Sequence, residues 1–228
     1  GGSSGSGGGS SGSGGGSSSS GGKSTIDVVV LYTTASEKAK GGDAGIKSDI
    51  SKAVESVNSS FSKSKINAAL KLVGTGKMNY DSKGDLSAAM SKLRKDKTAS
   101  SLRDSKKADL VSLFVTGKSN GAAGLGTLMP SEKGNKAACF TVVHEKYATS
   151  YSSFAHEIGH NLGSNHCWDQ SGKGVFKYSH GHRWKGSDGK GYRSIMSYGK
   201  DGDSRTTYFS NPQVKYKDKA TGDASKAD

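Results

Sequence analysis

The chain is predicted to fold as an α/β domain, and two observations carry that expectation. Strand-like runs lie at 26–32, 68–72 and 110–115, and stretches with apolar residues at helical spacing separate them. Strands alternating with amphipathic helices are the pattern of an α/β sheet with helices in its crossovers.

Taken in order, Ile26 to Tyr32 is a continuous apolar, β-branched run, as in a buried strand. Ile46, Ile50, Ala53, Val54, Val57 and Phe61 then repeat at helical spacing with Lys and Ser between them, and Asp43 stands where an N-cap is expected. Ala68, Leu70 and Leu72 alternate as a second strand. Asp85 caps a helix with Leu86, Ala89, Met90 and Leu93 on one face, and Ala99 and Leu102 suggest one further short helical turn. Leu110 to Val115 reads as a third buried strand. Gly121 to Met129 is Gly-rich, ends at Pro130, and suits an edge strand or the loop leading to one. Cys139 to Val143 is another strand, followed by a helix at about Ser150 to Leu162. Beyond it, Phe176 to Trp184 and Gly191 to Ser197 are expected to pair as a hairpin, with Ser187-Asp188-Gly189 in the turn.

The final helix carries the most informative residues. His156-Glu157-Ile158-Gly159-His160-Asn161-Leu162-Gly163-Ser164-Asn165-His166 reads H-E-x-x-H-x-x-G-x-x-H. His156 and His160 are one helical turn apart and face the same way. Gly163 lets the chain leave the helix through a left-handed conformation and bring in His166. Three neutral imidazoles leave a fourth zinc position for water, the mark of a catalytic site, and zinc lowers that water's pKa to about 7. Glu157 sits beside the ligands, placed to act as general base. A bare H-E-x-x-H is weak, but the added Gly and third His make packing alone an improbable explanation.

This motif resembles that of the metzincin zinc endopeptidases. Ser194-Ile195-Met196-Ser197-Tyr198, 30 residues after His166 at Met196, is similar to the metzincin Met-turn. The resemblance implies a role for Tyr198, since in the astacin and serralysin groups the Tyr two places after the Met binds zinc or stabilises the oxyanion. Other stretches look like the reprolysin-like group, in particular the bacterial peptidyl-Asp metalloendopeptidases. They are 26–33, 108–113, 153–156 and 208–212, and the resemblance covers roughly 25 to 216. It implies a twisted, mostly parallel sheet with one antiparallel edge strand, two backing helices, the active-site helix and an irregular lower subdomain. Substrate would add along Gly124, Leu125 and Gly126, and cleavage would fall on the amino side of Asp. Arg193, with Arg183 as second choice, is the candidate partner for that Asp. One departure stands out: metzincins end in a helix under the site, and no apolar periodicity follows Pro212.

Composition bounds the rest. Residues 1–22 are only Gly and Ser, cannot bury apolar surface, and read as a flexible, engineered linker. Residues 23–228 suffice for one metalloprotease catalytic domain. No apolar run approaches a membrane span, and an extracellular, monomeric protein is expected. The net charge of +13 comes nearly all from Lys, with Arg only at 94, 103, 183, 193 and 205. That argues for a solvated surface over nucleic-acid binding. The plain Lys, Ser and Gly surface leaves a resurfaced variant as an open alternative. Cys139 and Cys167 are expected to form a disulfide closing a loop of 28 residues, about 3–4 kcal/mol in the chain-entropy model. His180 and His182 share a strand face, as cleft or second-metal residues or plain polar ones. His144 is expected at the surface, and Asp201-Gly202-Asp203 as a turn, with calcium a weaker alternative. A peptide or protein substrate is expected. The competing readings are a catalytically inactive scaffold and a basic nucleic-acid-binding protein.

Overall fold

Ten residues, Ser24–Thr33 (β1), form an inner strand of the fold, with the apolar stretch 28–32 buried on both faces. This computed structural model describes residues 22–81, 83–118 and 121–226, so the expected linker at 1–22 lies, but for Gly22, outside the described residues. The chain continues through Thr34–Ala39 (α1), Asp43–Lys63 (α2), Ala68–Met78 (β2), Leu86–Lys95 (α3), Lys97–Lys106 (α4) and Leu110–Val115 (β3). Gly124–Gly126 (β4), Phe140–His144 (β5) and Ser153–Asn161 (α5) follow.

These strands make one sheet of order β2-β1-β3-β5-β4. All neighbours are parallel except β4, which runs antiparallel to β5 with Leu125 opposite Val142. The mostly parallel sheet with an antiparallel edge strand is therefore as expected. Strand alternation sends Val28 and Val30 to one face, where they meet Ile46, Ile50, Phe61, Phe154 and Ile158 of α2 and α5. Val29 and Leu31 point to the other, against Leu86, Met90, Leu93 and Ala99 of α3 and α4. β2 carries a bulge between the partners of Val28 and Val29. Past it, Gly74 and Gly76 leave room for Leu102, which would lie 3.4 and 3.2 Å from a Cβ at those positions.

Several local readings change. Asp43 does not cap α2, because Gly42 occupies the N-cap at φ 107° and Asp43 is the first helical residue. Its carboxylate instead accepts the Tyr32 hydroxyl and pairs with Lys47 at 2.7 Å. Asp85 does cap α3, accepting the Ala88 amide at 2.9 Å. The short turn expected at Ala99 and Leu102 is a full helix, α4, capped by Asp96 onto the Ala99 amide at 2.9 Å. His144 is not a surface residue but only 2% exposed, since it ends the buried strand β5.

After α5 the chain is irregular. The hairpin is confined to Arg183–Lys185 (β6) and Gly191–Arg193 (β7), with Ser204–Arg205 (β8) parallel to β7. Residues 176–182 do not join it, because Asn165 bonds Ser179 and Gly181 through their backbones and draws that segment under the loop after α5. Lys215–Tyr216 (β9) and Lys219–Ala220 (β10) form a small hairpin. Among the described residues no α-helix follows α5, as the absence of apolar periodicity suggested, and no helix is long and apolar enough to cross a membrane.

Candidate metal centre

α5 starts under constraint and ends with a release. Ser152, ahead of it, is left-handed at φ 53°. Its last turn closes at Gly163, φ +89°, where the Ser164 amide bonds back to the Gly159 carbonyl at 2.9 Å. That is the left-handed exit that brings His166 round. His156 and His160 are buried, and His166 is partly so.

The three imidazoles converge. Nε2 of His166 lies 3.2 Å from Nε2 of His156 and 3.1 Å from Nε2 of His160. The opposite ring nitrogens are anchored: Nδ1 of His156 on the Ile195 carbonyl at 2.8 Å, and Nδ1 of His160 on the Ser164 carbonyl at 2.9 Å. A carbonyl only accepts, so each of those Nδ1 atoms carries the proton and turns an Nε2 lone pair inward. Converging lone pairs repel unless a cation lies between them. Bonds of 2.0–2.1 Å in a tetrahedral site imply N···N separations of roughly 3.3–3.4 Å, close to those found, so the donor set fits zinc. Burial pushes all three imidazoles below their ordinary pKa, His156 well below and His166 to about 4, which keeps the lone pairs free at neutral pH. Among the described residues this is the group of His, Cys, Asp and Glu side chains that could hold a metal ion.

Glu157 is buried beside the triad. Burial pushes its carboxyl up to about 8, against the opposing pull of Arg205 and of the Gly126 amide that donates to it. β4 is pressed onto this carboxylate. A Cβ at Gly124 would come within 2.6 Å of Glu157 Oε1, and one at Gly126 within 2.8 Å of the Glu157 carbonyl. Leu125 between them is 37% exposed, and among the described residues β4 has no strand on its outer side.

Met196 lies beneath α5, 1% exposed, and its sulfur would be 2.4 Å from a Cβ at Gly159. Tyr198 follows with its ring 4.0 Å from that of His166 and 5.8 Å from that of His156, half exposed. Gln170 fixes its backbone, accepting the Tyr198 amide at 3.0 Å and donating to its carbonyl at 3.1 Å. Asn161 ties the end of α5 to the sheet, donating to the carbonyls of Thr127, Ala138 and Phe140 at 2.9–3.2 Å. Gln170, Asn161 and Gly159 carry no signal in the sequence that separates them from ordinary loop and helix residues.

A family model described as metallo-peptidase family M12B, reprolysin-like, matches residues 22–227. The chain belongs to this reprolysin-like metallopeptidase family. Curated relatives named peptidyl-Asp metalloendopeptidase occur in Stenotrophomonas maltophilia, 32% identical over 90% of this chain, and in Xanthomonas campestris pv. campestris, 30% identical over 90%. Another, from Pseudomonas aeruginosa, is 26% identical over 83%. The chain spans about half the length of the first two, 49% and 48%, and 35% of the third. In fold it is similar to a chain in a solved chaperone–substrate complex, with a TM-score of 0.68, 19% identity, and coverage of 88% of this chain and 31% of that one.

Around this reprolysin-like site, other expectations fare differently. Cys139 and Cys167 are not bridged but free. Their surroundings differ: Cys139 donates to the Asn135 carbonyl at 3.2 Å near Arg103 and Asp109, whereas Cys167 sits near Asp169, Arg183 and Ser197. Burial pushes both thiols up. Arg193 is committed to Asp203, donating to its carboxylate and its carbonyl, and Arg183 is committed to Asp169, so neither is a free cation. Asp201-Gly202-Asp203 is a turn, with Gly202 at φ +74° and Asp203 taken by Arg193. His180 and His182 do not act as a pair: His180 is buried and stacked on Trp168 at 3.8 Å, and His182 stacks on Trp184 at 6.1 Å.

Proposed function

We propose that the chain is a zinc-dependent endopeptidase of the metzincin type, cutting on the amino side of Asp. The observation that carries this reading is the convergence of three Nε2 atoms at 3.1–3.2 Å, two of them on rings anchored through Nδ1, beside the buried carboxyl of Glu157. The relatives' name, peptidyl-Asp metalloendopeptidase, supports the substrate class.

His156, His160 and His166 would hold the zinc, which when bound supplies a Lewis acid and an acidified water. Glu157 takes the proton from the attacking water and delivers it to the leaving amine. Its position is fixed by the Gly126 amide and by β4 against its flank. The Tyr198 hydroxyl, on a ring stacked over His156 and tilted against His166, donates to the oxygen that becomes charged as the carbonyl is attacked. Met196 serves as the Met-turn floor under α5. The substrate main chain adds along the outer edge of β4, at Gly124, Leu125 and Gly126.

The deciding experiment measures zinc per chain after dialysis and the cleavage of a quenched peptide with and without chelator. One zinc and chelator-sensitive cleavage are expected. Stoichiometric zinc without cleavage would leave an inactive scaffold, and salt-sensitive DNA binding without zinc would favour the basic-protein reading.

A further inference from the structure

Nothing in the sequence ties Arg205 to the histidine motif. In the structure it bridges two walls of the site. One terminal nitrogen, Nη1, donates to the Tyr151 carbonyl at 3.0 Å, just ahead of α5, and Nη2 reaches the Ser197 carbonyl at 3.4 Å, between Met196 and Tyr198. The side chain is held in place by β8, where Arg205 stands opposite Arg193 of β7. The two carbonyls it holds belong to the residue two ahead of α5's first residue and to the residue that precedes Tyr198, and its charge is felt at Glu157, Tyr198, His156 and His166.

Its partners do not balance it. Arg193 and Arg183 each have a carboxylate within ion-pair distance, and Arg205 has none among the described residues. Its Nε is buried without an acceptor. A guanidinium has five N–H donors, and two carbonyls engage only two of them. A partly buried cation with neutral acceptors alone has an unmet demand for an anion, and a planar fork suits a carboxylate. Glu157 supplies some compensation without pairing, and Arg193 opposes it.

We infer that Arg205 is the specificity-determining residue of the site, gripping the side-chain carboxylate of the substrate residue that becomes the new N-terminus. This rests on the peptidase reading above. It explains why a site whose other arginines are neutralised keeps one cation at the centre. A purely structural Arg205, serving only to clamp Tyr151 and Ser197, would make no distinction between substrates.

The test uses zinc-loaded full chain and paired peptides that differ only as Asp or Asn after the scissile bond. The parent is expected to favour Asp in kcat/KM by roughly 10- to 100-fold, the range for a hydrogen bond to a charged group. In Arg205→Gln that preference collapses through loss of the Asp peptide, with the Asn peptide cut within a few-fold of the parent rate. Arg205→Lys retains part of the preference, and Arg193→Gln leaves the ratio unchanged. A binding arm needs no turnover: Glu157→Gln protein, titrated with labelled peptides by fluorescence anisotropy, should hold Asp at least 10-fold tighter than Asn. Adding Arg205→Gln should abolish that difference. Should Arg205→Gln fail to fold, Arg205→Lys and the parent's Asp/Asn ratio still decide. Equal loss on both peptides, or an unchanged ratio in either variant that folds, would overturn the inference. Zinc-dependent cleavage by the parent with no Asp preference would overturn it while leaving the peptidase reading intact. No zinc-dependent cleavage at all would overturn the peptidase reading itself.

Discussion

At the scale of single residues, the proposed chemistry concentrates on Glu157. Replacing it by Gln keeps the shape and the Gly126 contact but removes the base. Activity is expected to fall on the order of 10²–10⁴-fold with zinc content and thermal stability unchanged, read by peptide turnover beside metal analysis. A variant that turns over near the parent rate would reassign the base. The meeting of His156, His160, His166 and Glu157 was legible because one helix and one glycine place them all, so spacing alone determines it. Gln170 and Arg205 were not legible. Each reaches the site across 28 residues to Tyr198 or 54 to Tyr151, and such contacts depend on tertiary packing, which spacing does not encode. The disulfide failed for the same reason: two cysteines in one chain say nothing about whether their thiols face each other.

Helices and strands carry constraints of their own. Gly159 sits in α5 where helix propensity would favour Ala, yet a methyl there would meet the Met196 sulfur at 2.4 Å. Gly159→Ala is expected to destabilise by about 1–3 kcal/mol through overpacking and to weaken zinc binding, measured by urea unfolding and competition with a chromophoric chelator. Unchanged stability would mean that Met196 can move aside freely. At the end of β1, burial and then the Asp43 carboxylate push the Tyr32 phenol up to about 12. The protonated form is the one the fold favours. Its stabilisation is therefore complete below pH 10 and disappears as pH rises from 10 to 12. Denaturation curves across that window should show the loss, and Tyr32→Phe should flatten it. The strands and main helices were readable from periodicity. Helix ends were less so, since Asp43 binds Tyr32, a partner outside its own helix, and no local pattern announces that.

For the molecule as a whole, the metal should be part of the stability. A ligand present at a thousand times its Kd stabilises by about 4 kcal/mol. For a chain of this size that is roughly 8–16 °C in Tm, so chelation should lower the melting point by that order, and readdition of zinc should restore it. Titration of unfolded, unreduced protein should find both Cys139 and Cys167 as thiols, and their absence would revive the bridge. The layered α/β arrangement was readable from the order of elements, whereas the lower half was not, because its two- and three-residue strands are too short to leave a period. The open outer side of β4 has one more consequence. The outward backbone groups that Glu157 leaves free accept a neighbour's strand as readily as a peptide, so the same feature makes the protein prone to self-association. Two properties oppose this: the edge is only three residues long, and a net charge of +13 keeps molecules apart. Salt removes the second protection but not the first. Concentrated protein should therefore form oligomers as ionic strength rises, and a tight-binding peptide that covers the edge should keep it dispersed.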